Sequence, residues 1–350
     1  MSTIRATETG GGPGMNRPPF LITIDTEGDN LWATPREITT RNAAFLQRFQ
    51  SLCEAHLLKP TYLTNYEMVR SPVFQEFARD VLRRRTAEIG MHLHAWNSPP
   101  IRPLTQDDYR YQPYLIEHPE QAIRGKVDFL TKLLEDTFGV KMISHRAGRW
   151  AMNEVYARIL VDQGYRVDCS VTPHVSWRRI KGDPNREGGA DYSRFPEEAY
   201  HVDLSDIGRP GDSPLLEVPM TIMPAPSPTV RRIGGLMPHG SLPSRAWNKL
   251  FPPKHWLTPN GRNRSRMLRL LDRSVKERRR YVEFALHSSE FMPGGSPTFP
   301  TTKAIENLYR DLEHLFSRAA TSFVGATLSE FEQSFTAAST PPKYVDYERA

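Results

Sequence analysis

The sequence predicts an α/β fold in which parallel βα units close into a barrel. Three observations predict it. Short apolar, β-branched runs alternate about seven times with amphipathic helical stretches at connection lengths suited to a parallel sheet. The first of these runs, Phe20-Leu21-Ile22-Thr23-Ile24, is nearly all apolar, as a strand covered on both faces must be. It leads into Asp25-Thr26-Glu27-Gly28-Asp29, where a doubly wound nucleotide-binding sheet would carry a glycine-rich phosphate loop. That favours the barrel over the open sheet.

The elements follow in order. A helix carries Phe45, Leu46, Phe49, Leu52, Cys53 and Leu57 at helical spacing. Pro60 to Thr64 reads as a strand, and a helix opens at Pro72 and runs to Arg85. Glu88 to Met91 is a short strand. Ala122, Ile123, Val127, Leu130, Leu134 and Phe138 form one apolar face of a helix, with Pro119 in its first turn and Gly139 as its stop. Lys141 to His145 is a strand, and Met152 to Leu160 a helix that Gly164 closes. Tyr165 to Cys169 is a strand again. Residues 172–214 lack a helical period and read as a long irregular excursion. Leu215 to Met223 is a strand, and the proline- and glycine-rich residues 224–261 form a second excursion. A helix with flanking arginines, strand Tyr281 to Leu286, and a helix capped by Thr302 follow. Strand Ser322 to Gly325 and helix Leu328 to Phe335 complete the pattern. Residues 1–18 read as a disordered leader, 19–338 as a single barrel domain and 339–350 as a loose tail.

Composition narrows the function. The chain has 350 residues, 38% of them hydrophobic, enough for a large core. No stretch approaches the ~20 apolar residues of a membrane-spanning helix, and residues 1–19 contain no secretory-type apolar core, so a cytoplasmic location is expected. The two cysteines, Cys53 and Cys169, exclude a disulfide framework and any multi-cysteine zinc or iron–sulfur site. The net charge is +6. Its densest basic stretch, Arg262, Arg264, Arg266, Arg269, Arg273 and Arg278 to Arg280, flanks Met267, Leu268, Leu270, Leu271 and Val275 and reads as the solvated face of a helix. No aromatic-interleaved platform or nucleic-acid motif accompanies it, so no nucleic-acid partner is expected. Weak attraction to an anionic membrane surface stays open.

The polar residues collect at strand ends. Asp25, Glu27 and Asp29 follow the first strand, His92 and His94 the third, and His145-Arg146 the fourth. Asp168 ends the fifth, while His287, Ser288 and Glu290 follow Phe284-Ala285-Leu286. In a parallel βα barrel these ends share one rim, where chemistry sits. His92-Leu93-His94 places two imidazoles on one side of an extended segment, and with a carboxylate they suit zinc or a similar divalent ion. Arg146 would hold a neighbouring carboxylate ionised. His56, His118, His201 and His314 have no partner cluster and read as structural.

Taken together, these residues resemble the polysaccharide deacetylases of carbohydrate esterase family four. The matching motifs are Thr23-Ile24-Asp25-Thr26-Glu27-Gly28-Asp29, Glu88-Ile89-Gly90-Met91-His92-Leu93-His94 and His145-Arg146-Ala147-Gly148-Arg149-Trp150, followed by Gly164 to Ser170 and Ala285-Leu286-His287-Ser288. They run in the family's order over residues 20–290. Two features mark a divergent branch. The acids stand as Asp-x-Glu rather than adjacent, and the histidines as His-x-His, where the usual spacing would put the second at Trp96.

The resemblance implies a distorted (β/α)7 barrel with long irregular insertions, and metal-dependent removal of an acyl group, N-acetyl first, from an amino sugar or glycan precursor. Glu27, His92 and His94 would hold one divalent ion, zinc before cobalt, nickel or manganese, with Asp29 as reserve ligand. Asp25 would be the base, Arg146 its partner and His287 the acid, with Asp168 orienting His287. Trp96 and Trp150 would stack on a sugar ring, Glu290 and Asp29 would contact substrate, and Met223 to Pro228 with Pro293-Gly294-Gly295 would wall the pocket. Two other readings compete: an amidase acting on a non-sugar amide, and a non-catalytic carbohydrate-binding or scaffolding relative.

Overall fold

The computed structural model describes residues 17–225 and 252–339, with positions 227, 229, 232, 233, 236 and 247 between them. Residues 1–16 and 340–350, where most of the leader and tail were expected, lie outside the described residues, as do Pro226 and Pro228 of the expected pocket wall.

Strand β1 (Pro19–Thr26) is the centre of the fold, and every residue of it from Phe20 onward is buried. It pairs in parallel with β2 (Pro60–Thr64), which is followed in the sheet by β3 (Glu88–Leu93), β4 (Ser144–Ala147), β5 (Val167–Asp168) and β8 (Leu216–Glu217). On its other side β1 pairs with β11 (Val282–His287), so seven parallel strands form the curled sheet. The short β12 (Val324–Ala326) also lies beside the start of β1. Among the described residues no ladder joins β8 to β11. The gap is bridged instead by Tyr281 Oη donating to the Pro219 carbonyl at 2.6 Å and the Glu283 N–H donating to Thr221 Oγ1 at 2.8 Å. The distortion of the barrel is this seam.

Helices cover the outside: α1 (Leu46–Ala55), α2 (Tyr66–Val69), α3 (Pro72–Arg84), α4 (Asp108–Tyr111), α5 (Glu120–Phe138), α6 (Glu154–Asp162), α7 (Arg264–Lys276) and α8 (Thr302–Ser322), with α9 (Leu328–Ser339) last. Their apolar stripes meet the even-numbered β1 residues Phe20, Ile22 and Ile24 in one continuous core. The odd-numbered residues take the opposite face, because strand side chains alternate. Leu21 packs with Leu63, Val167, Leu216 and Tyr281, and α9 contributes Leu328, Phe331 and Phe335 to this second cluster. Above Leu21 along the same face come Thr23, then Asp25. The interior is therefore apolar at one end and polar at the other.

The expected elements are found, with shifted bounds. The strand expected over 215–223 is two short pieces, β8 and β9 (Ile222–Pro224), and β9 pairs antiparallel with β10 (Lys254–Trp256) rather than continuing the barrel. Pro219, between the two pieces, accounts for the break, since proline cannot donate to a ladder. The excursion 172–214 is not wholly irregular: β6 (Tyr200–Asp203) and β7 (Asp206–Pro210) form a hairpin, and β6 extends the sheet antiparallel to β8.

Candidate metal centre and active-site cavity

β1 delivers Thr23 and Asp25 toward one side, Glu27 follows directly after it, and Asp25 is in register with His287 of the neighbouring β11. His92 of β3 is in register with Arg146 of β4. These pairings bring together side chains that are up to about 260 positions apart in the chain.

Glu27, His92 and His94 form one buried group whose candidate ligand atoms all lie within 4.8 Å of one another. The Glu27 Oε2 atom is 3.5 Å from His92 Nε2 and 3.3 Å from His94 Nε2. His92 Nδ1 is 3.0 Å from the Arg146 carbonyl oxygen, which can only accept. Nδ1 therefore carries the hydrogen, and in the neutral ring Nε2 presents a lone pair toward the carboxylate. The charge of Glu27 here calls for a cation among these atoms, either a metal ion or a proton on His92, which burial opposes but Asp25 and Glu27 favour. His94 is held neutral by burial and by His92 beside it, the form in which imidazole ligates. It stacks on Trp96 at 4.3 Å. Gly148 makes room for this arrangement, because a Cβ there would stand 2.3 Å from His94 Cδ2 and 2.5 Å from the Leu93 carbonyl oxygen. The Ser288 hydroxyl, 3.1 Å from the Glu27 N–H and 3.2 Å from its carbonyl oxygen, fixes the Glu27 backbone. The residues present fit a divalent ion, which two imidazole nitrogens and one carboxylate oxygen would hold.

Asp25 lies beside this group. Arg146 Nη1 donates to its Oδ1 at 2.6 Å, and His287 Nε2 is 3.8 Å from its Oδ2. Burial opposes ionisation of Asp25, but Arg146, His92 and His287 outweigh it and hold its pKa down at about 2. His287 is half-buried, which opposes its charged form, yet Glu290, Glu27 and Asp25 push its pKa up to about 9. At neutral pH the pair is thus a carboxylate facing an imidazolium, the states a base and an acid need.

The cavity has a volume of about 280 Å³ and includes Asp25, Glu27, His92, His94, Trp96, Trp150 and His287 in its lining. Trp32 stands edge-on to His287 at 4.8 Å. The wall is completed by Leu31, Gln112, Tyr114, Arg149, Trp177 and Ile180. The sequence reading assigns no functional role to these residues. A tryptophan such as Trp177 within an otherwise polar excursion was the available signal.

Four expected placements differ. Asp168 does not orient His287: its Oδ1 is 2.6 Å from His145 Nδ1 and accepts from the Ser170 hydroxyl at 2.8 Å, deep in the barrel with no exposed surface. The partner of His287 is Glu290, whose Oε2 lies 3.2 Å from Nδ1 and accepts the His287 N–H at 3.0 Å. Glu290 is accordingly spent on this histidine and does not line the cavity, so it is no substrate contact. Asp29 is consumed by the loop after β1, accepting from Thr39 Oγ1 at 2.8 Å and from the backbone N–H groups of Arg41 and Asn42. It belongs neither to the ligand group nor to the cavity wall. Of the expected wall segments, neither the described part of Met223 to Pro228 nor Pro293-Gly294-Gly295 is among the lining residues. The loops after β1, β3, β4 and β5 do that work instead.

No protein-family model matches the sequence, and no curated protein matches it. Solved structures do match in fold. A Mycobacterium smegmatis protein assigned as a polysaccharide deacetylase superposes with a TM-score of 0.51 at 12% identity, over 99% of this chain and 100% of that one. A pseudoenzyme of the CE4 family from Bacillus anthracis aligns with a TM-score of 0.40 at 11% identity, over 91% of this chain and 66% of its own. A CE4 domain of a multidomain xylanase from the hindgut metagenome of Trinervitermes trinervoides aligns with a TM-score of 0.39 at 12% identity, over 94% and 95%. The fold is that of the polysaccharide deacetylases. On that fold, this chain carries at its rim a Glu-His-His group that could bind a metal ion.

Proposed function

We propose that the protein is a metal-dependent hydrolase that removes an acyl group, N-acetyl first, from an amino sugar or glycan precursor. The observation that carries this reading is the juxtaposition at one cavity of the Glu27–His92–His94 group, the Asp25–Arg146 pair and His287. A divalent ion held by Glu27, His92 and His94, zinc before cobalt, nickel or manganese, would supply Lewis acidity for the acyl carbonyl. Asp25 takes the proton of the attacking water, and Arg146 keeps Asp25 ionised and aimed. His287, held by Glu290, gives a proton to the departing amine. Trp32, Trp96, Trp150 and Trp177 provide faces for a sugar ring. A cavity of about 280 Å³ lies just below the ~300–1,000 Å³ range of ligand sites. That room favours one sugar of a small precursor over several consecutive units of a polymer. Weak attraction of α7 to an anionic membrane surface belongs to the same proposal.

The test joins metal content to activity. The wild type is expected to bind one equivalent of zinc by elemental analysis and to release acetate from small N-acetylated amino sugars. His92→Ala/His94→Ala is expected to lose both while keeping its circular dichroism spectrum. Full metal retention by the double variant would overturn the ligand assignment. Metal binding with acetate released only from non-sugar amides would replace the sugar with another amide.

A further inference from the structure

Arg146 has no exposed surface, and it carries more ligands than its partnership with Asp25 requires. Nε donates to the Cys169 carbonyl oxygen at 3.1 Å, Nη1 to Asp25, and Nη2 to Thr23 Oγ1 at 2.7 Å and also to Glu283 Oε1. Thr23 in turn donates its hydroxyl hydrogen to the same Glu283 oxygen at 2.9 Å. Two carboxylates from adjacent strands therefore grip one guanidinium from different sides, and Arg146 is the only cation that either of them contacts among arginines and lysines of the described residues.

Glu283 is costly where it stands. It is fully buried, and its Oε2 has no hydrogen-bond partner among the described residues. An unpaired buried carboxylate oxygen is destabilising, and an apolar side chain of similar size would relieve that cost. The sheet does not demand an acid here: Phe284 and Ala285 next to it are ordinary buried apolar residues, and the Glu283 backbone is served by Thr221. What the acid does reach is Arg146. It also shares a β11 face with His287, because positions 283, 285 and 287 alternate to the same side.

We propose that Glu283 is a positioning residue that, through Thr23 and Arg146, fixes the guanidinium plane against Asp25 and so keeps the base aimed. This rests on the hydrolase reading above. Without the Glu283 acceptor, Nη2 keeps only Thr23, whose hydroxyl is left with the Phe284 carbonyl oxygen at 3.2 Å as its acceptor, and the planar guanidinium can swing about the Cδ–Nε bond away from Asp25. Binding of substrate, which touches neither Glu283 nor Thr23, is unaffected.

The test uses Glu283→Met, which keeps length and bulk but accepts no strong hydrogen bond, and Glu283→Gln, whose side-chain carbonyl still can. With an N-acetylated amino sugar as substrate, Glu283→Met is expected to lower kcat about 10- to 100-fold at unchanged KM and unchanged metal content, and Glu283→Gln to restore kcat to within about threefold of wild type. Nitrogen-15 spectra give a readout that needs no substrate: the Arg146 Nε–H signal is expected to be protected from exchange in the wild type and in Glu283→Gln, and exchange-broadened in Glu283→Met. Wild-type kcat in Glu283→Met, or a protected Arg146 signal in that variant, overturns the proposal. A wild type that hydrolyses no amide overturns the hydrolase reading alone, since the spectra still decide the positioning role. If Glu283→Met does not fold, a Glu283→Gln variant with an exchange-broadened Arg146 signal overturns it.

Discussion

Asp25 and His287 face each other because β1 and β11 are parallel and in register, not because either residue is unusual in itself. Asp25→Asn preserves the size of the side chain and an acceptor for Arg146 but cannot take a proton. Loss of general-base help costs typically 10²–10⁴-fold, so kcat is expected to fall by about that much while zinc content stays at the wild-type level. His287→Gln separates roles by leaving group. An amine must be protonated to leave, whereas a phenolate leaves unaided. The variant is expected to lose kcat on the N-acetyl sugar and to retain most of it on an activated phenyl acetate. Equal losses on both would assign His287 to support of the oxyanion rather than to proton donation. Glu290 shows why residue roles were only partly legible. The sequence places Asp168 and Glu290 at equally good strand ends, and only register and depth decide that one meets His145 and the other His287.

Among the elements, α5 shows how a helix outside the barrel shapes the rim. Lys126 is buried on it and donates to the carbonyl oxygens of Ser98 at 2.6 Å and Pro100 at 2.9 Å, pinning the segment that follows Trp96. Burial disfavours its charged form and lowers its pKa to about 8 from an ordinary 10.5. A base with a depressed pKa binds fewer protons in the fold than in the unfolded chain between those two values, so its contribution to stability rises as pH climbs through that window. The stability of the wild type relative to Lys126→Met, from urea unfolding, is expected to increase from about pH 8 to about pH 10.5. A flat difference would mean that the ammonium is solvated and that the loop is held otherwise. The helices were the most legible elements, because Phe49, Cys53, Leu130 and Leu134 recur with a period that survives any register. The strands β5 and β8 were legible in place but not in length, since a ladder of two residues on each leaves little pattern. The cavity wall was the least legible. Trp32, Tyr114, Trp177 and Ile180 come from loops after three different strands, and nothing local to those loops specifies that they converge. Arg149 and Trp150, both with positive φ, turn there in a way non-glycine residues rarely do, and no side-chain pattern announces it.

Across the molecule, the charge of +6 is distributed unevenly, and α7 is where it is densest. Its buried side, Met267, Leu270 and Leu271, packs in the core, so the apolar stripe seen in the sequence is not free to enter a lipid bilayer. Any attraction to membranes must then be electrostatic. Part of the charge is already balanced: Arg264 pairs with Asp311 at 3.2 Å, Arg273 with Glu277 at 2.6 Å, and Asp272 with Arg318 at 2.6 Å. Arg269 on α7, and Arg262 and Arg278 just beyond its two ends, remain exposed. No helix among the described residues is long and apolar enough to cross a membrane. Each basic side chain near an anionic leaflet contributes about 1 kcal/mol, so a few of them give weak, reversible attachment. The screening length shrinks from about 10 Å at 0.1 M salt to about 3 Å at 1 M, which removes such attraction. The protein is therefore expected to sediment with phosphatidylserine-rich vesicles at low salt, to be released at high salt, and to ignore vesicles of neutral lipid. Replacing Arg262, Arg269 and Arg278 together with Gln should abolish sedimentation without altering hydrolysis. Attachment that survives high salt would require an apolar contact that the packing of α7 does not leave available, and absence of attachment at low salt would remove the membrane surface from the proposal.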